Sequence, residues 1–314
     1  MKESVALENQ RGHEAQNQIF AIDSTIALAN GKQLEIIKAK GQKALGVDGR
    51  SEYLVLVLPG GGYEFCSFRE ARNVASHFAA AGVDSAILCY DVIDEKEALR
   101  LGKGLGYGPM IDVSHAIDEL RANDSLGFSK HKIVLCGFSA GGHLAASLCT
   151  RYDCPQLQNA YAWRSSLRPD GAILAYAVHS VTLDEPVNVV FHCLTGVHDL
   201  EKWREFTTDD KVRDNTPPAY IWHTADDALV PVANALRYAQ AMWEHHNKAE
   251  LLILPKGIHG LSTATADVEP NKALFMLTSM LPCGCLVLLA LCVIMYKATK
   301  SLKRLPPSGF WLKS

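Results

Sequence analysis

The stretch KIVLCGFSAGG, residues 132–142, is the most informative part of the sequence. Its first five residues, Lys132 and a short apolar run, are predicted to form a strand, and the residues after Ser139 are predicted to form a helix. Between them, Gly137, Ser139 and Gly141 have the spacing G-x-S-x-G, in which the serine lies on a strained strand-to-helix turn and its Oγ stands clear of the backbone. The flanking glycines are expected because the tight turn brings other backbone close to them. This stretch therefore predicts a nucleophilic serine at Ser139.

Outward from this stretch, short apolar strands alternate with segments of helical periodicity. Strands are predicted at residues 53–58, 85–90, 132–136, 171–176, 219–222 and 250–254, after a hairpin of residues 20–26 and 33–37. Helices are predicted at residues 69–81, from Pro109 onward, at 140–150 and at 232–244. This alternation predicts an α/β fold with a mostly parallel central sheet and helices on both faces. Functional residues of such folds lie at the carboxyl ends of the strands.

Three consecutive glycines follow the strand predicted at residues 53–58, in the sequence Pro59-Gly60-Gly61-Gly62-Tyr63. Glycines let bare backbone N–H groups approach a ligand oxygen without interference from side chains. Alone, such a loop is also compatible with phosphate binding or with flexibility. Together with a downstream nucleophile, it favours an oxyanion hole, whose donors are aimed at the oxygen on which charge develops.

A histidine and a pair of aspartates follow later strands. His259 comes after the strand predicted at residues 250–254, where it can take the Ser139 Oγ proton and later return it to a leaving group. Asp226 and Asp227 follow the preceding strand, and the residues alone leave open which of them orients the imidazole. The remaining histidines are interpreted as packed, capping or unassigned residues, namely His143, which could at best line the pocket, and His179, His192, His198, His223, His245 and His246.

Together these residues resemble the α/β-hydrolase superfamily, and within it the small acetyl-esterase and feruloyl-esterase-like carboxylesterases that include acetyl xylan esterases. The resemblance covers about residues 20–270. Its motifs are Pro59-Gly60-Gly61-Gly62-Tyr63, Ser67-Phe68-Arg69-Glu70, Gly137-Phe138-Ser139-Ala140-Gly141-Gly142-His143, Thr216-Pro217-Pro218, Asp227 with Val230-Pro231, and Gly257-Ile258-His259-Gly260. The chain departs from the lipase and esterase pattern at Pro59, where the HGGG-type loop has a histidine.

The resemblance implies roles for particular residues. In the family, two residues separate the carboxylate from its Val-Pro pair, which selects Asp227 over Asp226. The backbone amides of Gly61, Gly62 and Ala140 correspond to the family's oxyanion donors.

The reaction implied is hydrolysis of a carboxylic ester through an acyl-enzyme, with Ser139 as nucleophile, His259 as acid and base, and no metal or cofactor. A serine peptidase or amidase and a non-enzymatic binding protein of the same fold are the alternatives. The segment between residues 176 and 219 is short for a cap domain, which favours an open pocket for a small acyl group on a bulky alcohol such as an acetylated sugar. The aromatic residues Tyr63 and Phe138, which adjoin the reacting groups in sequence, are predicted to limit the acyl side of this pocket.

The composition excludes several classes of protein. With 48% hydrophobic and 21% charged residues, the 314-residue chain is unlike a disordered chain, a collagen-like repeat or a multi-span transporter. A net charge of −3 excludes a strongly basic nucleic-acid binder. The partner that the resemblance implies is a small-molecule or carbohydrate ester. The nine cysteines are scattered through apolar runs and residues 1–23 lack the apolar core of a secretory signal, which together predict reduced thiols in a cytoplasmic protein.

The tail departs from the family pattern. Residues 273–296 carry no charge, and Lys297, Lys300, Lys303 and Arg304 follow them. Three interpretations stay open, because an uncharged stretch of this length fits a membrane anchor, a tail whose reading frame has drifted, or an apolar last helix packed on the core. The predicted organisation is an N-terminal extension at 1–19, a catalytic domain at 20–270 and an apolar segment with a basic tail at 271–314. A membrane-associated protein is thus the alternative to a cytoplasmic one.

Overall fold

The structure, a computed structural model, describes residues 20–39, 52–181 and 188–263, together with the isolated positions Gln10, Gly12 and Glu14. The predicted tail at 271–314 lies outside the described residues, and so does almost all of the predicted N-terminal extension. Within the described residues, no helix is long and apolar enough to cross a bilayer.

A single eight-stranded sheet organises this part of the chain. Its strands are β1 (Ser24–Ala27), β2 (Gln33–Ile37), β3 (Tyr53–Leu58), β4 (Asp84–Leu88), β5 (Lys132–Phe138), β6 (Gly171–Ala175), β7 (Ala219–Thr224) and β8 (Ala249–Leu254). They lie in the order β1-β2-β4-β3-β5-β6-β7-β8. The first two strands pair antiparallel, β2 also pairs antiparallel with β4, and all other neighbours are parallel. The predicted mostly parallel sheet is confirmed.

Eight α-helices connect or follow these strands in the described residues. They are α1 (Arg72–Ala80), α2 (Glu95–Leu101), α3 (Gly108–Ala122), α4 (Ala140–Arg151), α5 (Pro155–Gln158), α6 (Asn188–Thr195), α7 (Leu200–Trp203) and α8 (Ala233–Glu244). Short 3-10 helices span Phe68–Glu70, Asp124–Leu126, Arg204–Phe206 and Asp209–Lys211.

The two faces of the sheet carry separate cores, because alternate side chains of a strand point to opposite faces. In β3, Leu54, Leu56 and Leu58 belong to the larger core, which also contains the buried side chains of α3, α4 and α8. Val55 and Val57 belong to the smaller core, where α1 packs. All six residues of β3 are buried, as expected for a strand covered on both faces. Helices therefore lie on both faces, as the sequence predicts.

Several predicted elements begin or end at other residues in the structure, and two of these differences place side chains at the site. The helix predicted at residues 69–81 is divided at Ala71, whose backbone angles are φ −110° and ψ −108°, into the 3-10 turn Phe68–Glu70 and α1. The strand predicted to reach Tyr176 ends one residue earlier, and Tyr176 has the left-handed φ of 37°. Both breaks turn a side chain toward the carboxyl edge of the sheet, where Glu70 and Tyr176 are hydrogen-bonded to each other.

Candidate active site

Ser139 lies on the sharp turn between β5 and α4. Its backbone has φ 50° and ψ −117°, a conformation that costs a non-glycine residue about 1–3 kcal/mol, and its N–H donates to the Ala175 carbonyl at 2.9 Å. A Cβ on Gly137 would lie 2.2 Å from the Gly141 carbonyl oxygen, and one on Gly141 would lie 2.1 Å from that of Leu58. Only glycine fits both positions, which is the physical reason for the G-x-S-x-G spacing.

Ser139, His259 and Asp227 form one hydrogen-bonded chain, although they come from three different strand ends. His259 Nε2 lies 2.9 Å from Ser139 Oγ, and His259 Nδ1 lies 2.8 Å from Asp227 Oδ2. The carboxylate can only accept, so Nδ1 carries the imidazole proton and Nε2 is left to accept from the serine hydroxyl. The structure thus brings together the three residues that the sequence predicts as nucleophile, base and orienting acid.

The Asp227 carboxylate is buried and held on both oxygens. Oδ1 accepts the backbone N–H groups of Leu229 and Val230, each at 2.9 Å, while His223 Nε2 lies 3.4 Å from Oδ2. Burial acts to raise the pKa of the Asp227 carboxyl, but the nearby His223 imidazole and the hydrogen bonds with His259 and Val230 outweigh burial and hold that pKa well below its ordinary range. A charged acceptor is therefore fixed behind the His259 imidazole.

Asp226, the competing carboxylate, has another position. Its side chain is exposed, and Oδ1 accepts the Gly257 N–H at 2.7 Å. This bond ties the loop before His259 to the end of β7 without contacting the imidazole.

The loop of three glycines is held by its carbonyl groups. The Gly60 carbonyl accepts the Ser67 N–H at 2.9 Å, and the Gly61 carbonyl accepts from Glu64 and Phe65 at 2.9 and 3.2 Å. In a trans peptide the N–H points opposite to the preceding C=O. The N–H groups of Gly61 and Gly62 therefore point away from these internal bonds.

The glycines that carry these N–H groups adjoin the cavity that contains Ser139. Gly61, Gly62 and Ser139 line one cavity. Across the residues that the structure describes, neither glycine N–H nor the Ala140 N–H at the start of α4 has an internal acceptor. The three predicted oxyanion donors are thus adjacent to the serine and available to a ligand oxygen.

The cavity above Ser139 has a volume of about 270 Å³. Its lining divides by chemistry into aliphatic residues, Val178, Val189, Val190, Leu229 and Val230, and polar or charged residues, Glu64, Ser67, Arg69, Glu70, Ser139 and His259. Phe65 and the glycines 61, 62 and 260 complete it. Within the described residues, no group of three or more His, Cys, Asp or Glu side chains is arranged to hold a metal ion.

The predicted placement of Tyr63 and Phe138 in the substrate pocket is wrong. Both side chains are buried, 1% and 0% exposed, and neither lines the cavity. Phe138 is the last residue of β5, and the alternation of the strand directs its ring into the smaller core, 5.9 Å from the ring of Tyr176. Tyr63 has a left-handed φ of 64°, and this turn directs its ring into the larger core.

His143 explains why the Tyr63 ring is buried there. Its Nε2 lies 2.7 Å from the Phe206 carbonyl, which can only accept, so Nε2 carries the proton and Nδ1 accepts from the Tyr63 hydroxyl at 2.9 Å. Burial lowers the pKa of His143 to about 4, against the hydrogen bond with Phe206. His143 is thus a neutral core residue, in agreement with its interpretation as a packed residue, and it does not line the cavity.

Three residues of the site escape the sequence predictions. Glu70 and Tyr176 are joined by a buried hydrogen bond at the cavity wall. Val189 lies opposite Gly62, because a Cβ added to this glycine would be 3.5 Å from Val189 Cγ1. Glu70 belongs to the motif 67–70 that carries the family resemblance, which was the signal available for it. Val189 belongs to no motif, and only the three-dimensional structure places it.

Comparisons with known proteins extend these observations. The BD-FAE family model matches residues 107–242. Endo-1,4-beta-xylanase B of Butyrivibrio fibrisolvens is 33% identical over 214 residues, which are 68% of this chain and 33% of that protein. An acetylxylan esterase of Xylanibacter ruminicola is 30% identical over 219 residues, 67% of this chain and 41% of that protein. The chain thus spans between a third and about two fifths of the length of these curated relatives.

A solved structure gives a more complete match. The crystal structure of an acetyl ester-xyloside bifunctional hydrolase from Caldicellulosiruptor lactoaceticus is 30% identical, with a TM-score of 0.63. The matched part covers 76% of this chain and 82% of that one. Most of that protein's length therefore has a counterpart here.

Proposed function

The chain belongs to the α/β-hydrolase superfamily, in its group of acetyl-esterase and feruloyl-esterase-like carboxylesterases, and on this premise we propose that it hydrolyses carboxylic esters of small acyl groups. One observation carries the proposal. His259 Nε2 lies 2.9 Å from Ser139 Oγ while its Nδ1 is held by Asp227, and Gly61 and Gly62 line the same cavity as the serine. This is the arrangement that acyl transfer requires, with a base on the nucleophile and donors beside the attacked carbonyl.

The first half of the reaction forms the acyl-enzyme. Ser139 Oγ attacks the ester carbonyl carbon as its proton passes to His259 Nε2, and the carbonyl oxygen becomes an oxyanion that accepts from the Gly61, Gly62 and Ala140 N–H groups. Asp227 stabilises the imidazolium. The tetrahedral intermediate collapses when His259 returns the proton to the alcohol oxygen, which leaves as the free alcohol.

The second half releases the acid. Water attacks the acyl-enzyme carbonyl while His259 Nε2 takes its proton, and the second tetrahedral intermediate expels Ser139 Oγ, which is reprotonated by His259. The products are the carboxylic acid and the unmodified serine. Every proton is carried by groups of this chain and water, so the sequence of steps uses no cofactor.

Two observations support a small acyl group and a carbohydrate alcohol. The aliphatic part of the cavity wall is close to the glycine loop, since a Cβ added to Gly62 would lie 3.5 Å from Val189 Cγ1. The polar part of the lining includes Glu64 and Arg69, side chains that can hydrogen-bond hydroxyl groups. Relatives that are named acetylxylan esterase and acetyl ester-xyloside hydrolase agree with an acetylated sugar as the substrate class.

The test compares p-nitrophenyl esters with peptide p-nitroanilides for the wild type and for Ser139→Ala. We expect turnover of the acetyl ester, little of the anilides, and a loss of several orders of magnitude in the variant with unchanged circular dichroism. Faster turnover of anilides would identify a peptidase or amidase. Near-normal ester turnover by a folded Ser139→Ala variant would show that the site is elsewhere, and inactivity of the wild type on every substrate would favour a binding protein.

A further inference from the structure

The mechanism leaves one buried acid in the cavity wall without a role. Glu70 is 3% exposed, lines the cavity that contains Ser139, and ends the 3-10 turn that interrupts the predicted helix. Its two oxygens have different partners. Oε2 accepts the Gly60 N–H at 2.8 Å, and Oε1 accepts the Tyr176 hydroxyl at 2.6 Å. The carboxylate therefore joins two segments that are far apart in sequence.

The first partner belongs to the glycine loop. A Cβ on Gly60 would lie 2.6 Å from Glu70 Oε2 and 3.0 Å from Ser139 Cβ, so Gly60 is enclosed between the carboxylate and the serine. Glu70 holds the N–H of Gly60, and the Ser67 N–H holds its carbonyl. The Gly60 carbonyl and the Gly61 N–H belong to one peptide group, and hydrogen bonds on both sides of Gly60 therefore fix its orientation. Without the carboxylate, only the carbonyl side of this residue would be held.

The second partner contacts the segment of His259. The Tyr176 ring packs edge-on to the His259 imidazole, with centroids 5.0 Å apart and an interplanar angle of 71°. Its hydroxyl accepts the Ser262 N–H at 2.8 Å while donating to Glu70. Burial, followed by the charge of Glu70 and its hydrogen bond, raises the pKa of Tyr176 well above its ordinary value, so this hydroxyl keeps the proton that it donates. Tyr176 thus transmits the position of the carboxylate to the 259–262 segment.

We propose that Glu70 is a positioning residue, which fixes the glycine loop through Gly60 and the His259 segment through Tyr176 so that both are aligned on one substrate carbonyl. The inference rests on the proposed function. Oxyanion donors are effective because they are held in place before the charge develops, so a support that loosens by a fraction of an ångström lowers the rate without weakening ground-state binding. Glu70 itself touches no reacting atom. Substitution of Glu70 should therefore lower kcat and leave KM nearly unchanged.

The test uses Glu70→Gln, Tyr176→Phe and the double variant. A carboxamide has one acceptor oxygen, so Glu70→Gln can serve Gly60 or Tyr176 but must present its NH₂ group to the other. Tyr176→Phe leaves the Gly60 bond intact and removes the link to Ser262. Glu119→Gln is the matched control, because Glu119 lies on α3, away from the cavity, and its carboxylate is hydrogen-bonded to Arg164 and Asn123. Active sites are titrated by complete labelling of Ser139 with a fluorophosphonate, so that unfolded protein does not count toward kcat.

We expect Glu70→Gln to lower kcat on p-nitrophenyl acetate about tenfold or more, below the ~10²–10³-fold that loss of an oxyanion donor itself costs. KM should stay within about threefold, and the initial rate of Ser139 phosphonylation should fall in parallel, because phosphonylation also uses the hole. Tyr176→Phe should lower kcat less. The double variant should have about the same kcat as Glu70→Gln, since both residues act through one hydrogen-bond network that the first substitution already breaks.

Other results would contradict either the positioning role of Glu70 or the proposed function. If Glu70→Gln and Tyr176→Phe keep the wild-type kcat per labelled site and lose only thermal stability, as the Glu119→Gln control would, Glu70 is structural and the inference is overturned. A double variant whose losses multiply would also overturn it, because the two residues would then act independently. If Glu70→Gln fails to fold, Tyr176→Phe decides alone through its kcat. An inactive wild type would instead contradict the proposed function, and that result is visible before any variant is measured.

Discussion

His259 Nδ1 lies 2.8 Å from Oδ2 of Asp227, whose other oxygen accepts two backbone N–H groups of its own loop. The carboxylate therefore cannot turn away from the imidazole without breaking three hydrogen bonds. Asp226 precedes it in the chain but is exposed and bonded to Gly257. Adjacent carboxylates thus have different tasks, one facing the imidazole and one fastening the loop that carries it.

Substitution of the two aspartates should separate these tasks. Asp227→Asn presents a group that can donate to Nδ1, which favours the wrong imidazole tautomer, and we expect kcat to fall by about 10⁴ as in other serine triads. Asp226→Asn keeps an acceptor oxygen for the Gly257 N–H and should cost less than about tenfold. Steady-state kinetics on p-nitrophenyl acetate measures both, with Ser139→Ala as the background. Reversed magnitudes would transfer the orienting role to Asp226.

The depressed pKa of Asp227 also predicts how stability depends on pH. Because its folded-state pKa lies below the unfolded value of about 3.9, the ionised carboxylate stabilises the fold at every pH above that value. This contribution is lost as the pH falls from about 4 toward the folded-state pKa, where both states become protonated. The difference in urea midpoint between wild type and Asp227→Asn should therefore shrink as the pH falls below about 4. A difference that grows on acidification below about pH 4 would show that the carboxylate is not held in its charged form.

The order of the strands and the G-x-S-x-G turn can be predicted from the sequence because they depend on short-range rules. Gly137 and Gly141 must be small for a local steric reason, and a buried parallel strand is an apolar run. The order of Ser139, Asp227 and His259 along the chain then follows the order of the strands in the fold. The serine turn and the buried strands can be predicted from sequence patterns because each pattern reflects one local steric or burial requirement.

The lining of the cavity depends on causes that are not local. Tyr63 follows the glycines in sequence, yet a left-handed turn directs its ring to His143, 80 residues later in the chain. Val189 reaches Gly62 from a helix that no sequence motif marks. The direction of a side chain after an irregular turn is set by its distant partners, so adjacency in sequence to Ser139 or to the glycines does not predict which side chains line the cavity.

Tyr63→Phe tests the buried hydrogen bond between the Tyr63 hydroxyl and His143. The variant removes the hydroxyl that His143 Nδ1 accepts from, and leaves a buried ring nitrogen without its partner. An unsatisfied buried polar group costs about 1–3 kcal/mol, so the free energy of unfolding should fall by that amount. The ratio of kcat/KM for acetyl and butyryl esters should stay at the wild-type value. A changed ratio with unchanged stability would return Tyr63 to the pocket.

The acyl preference should instead follow Val189. A Cβ added to Gly62, one of the proposed oxyanion donors, would lie 3.5 Å from Val189 Cγ1, and Val189 lines the cavity. We therefore expect this side chain to limit the length of the acyl chain. We expect wild-type kcat/KM on p-nitrophenyl esters to be highest from acetyl to butyryl and to fall steeply by octanoyl, because longer chains overlap with the branched side chains of the wall. Equal or better turnover of octanoyl esters would show that the acyl chain leaves by another route.

Val189→Ala should move this preference toward longer chains. The two methyl groups removed make room for about one or two methylenes, and each accommodated methylene is worth about 1–3 kcal/mol in such a pocket. We therefore expect hexanoyl esters to gain about tenfold relative to acetyl esters. Val197→Ala is the matched control, since Val197 is also half-buried and follows the same helix, α6, but does not line the cavity. If both variants keep the wild-type chain-length profile, Val189 does not face the acyl chain; if both shift it equally, the change reflects a general loosening of α6.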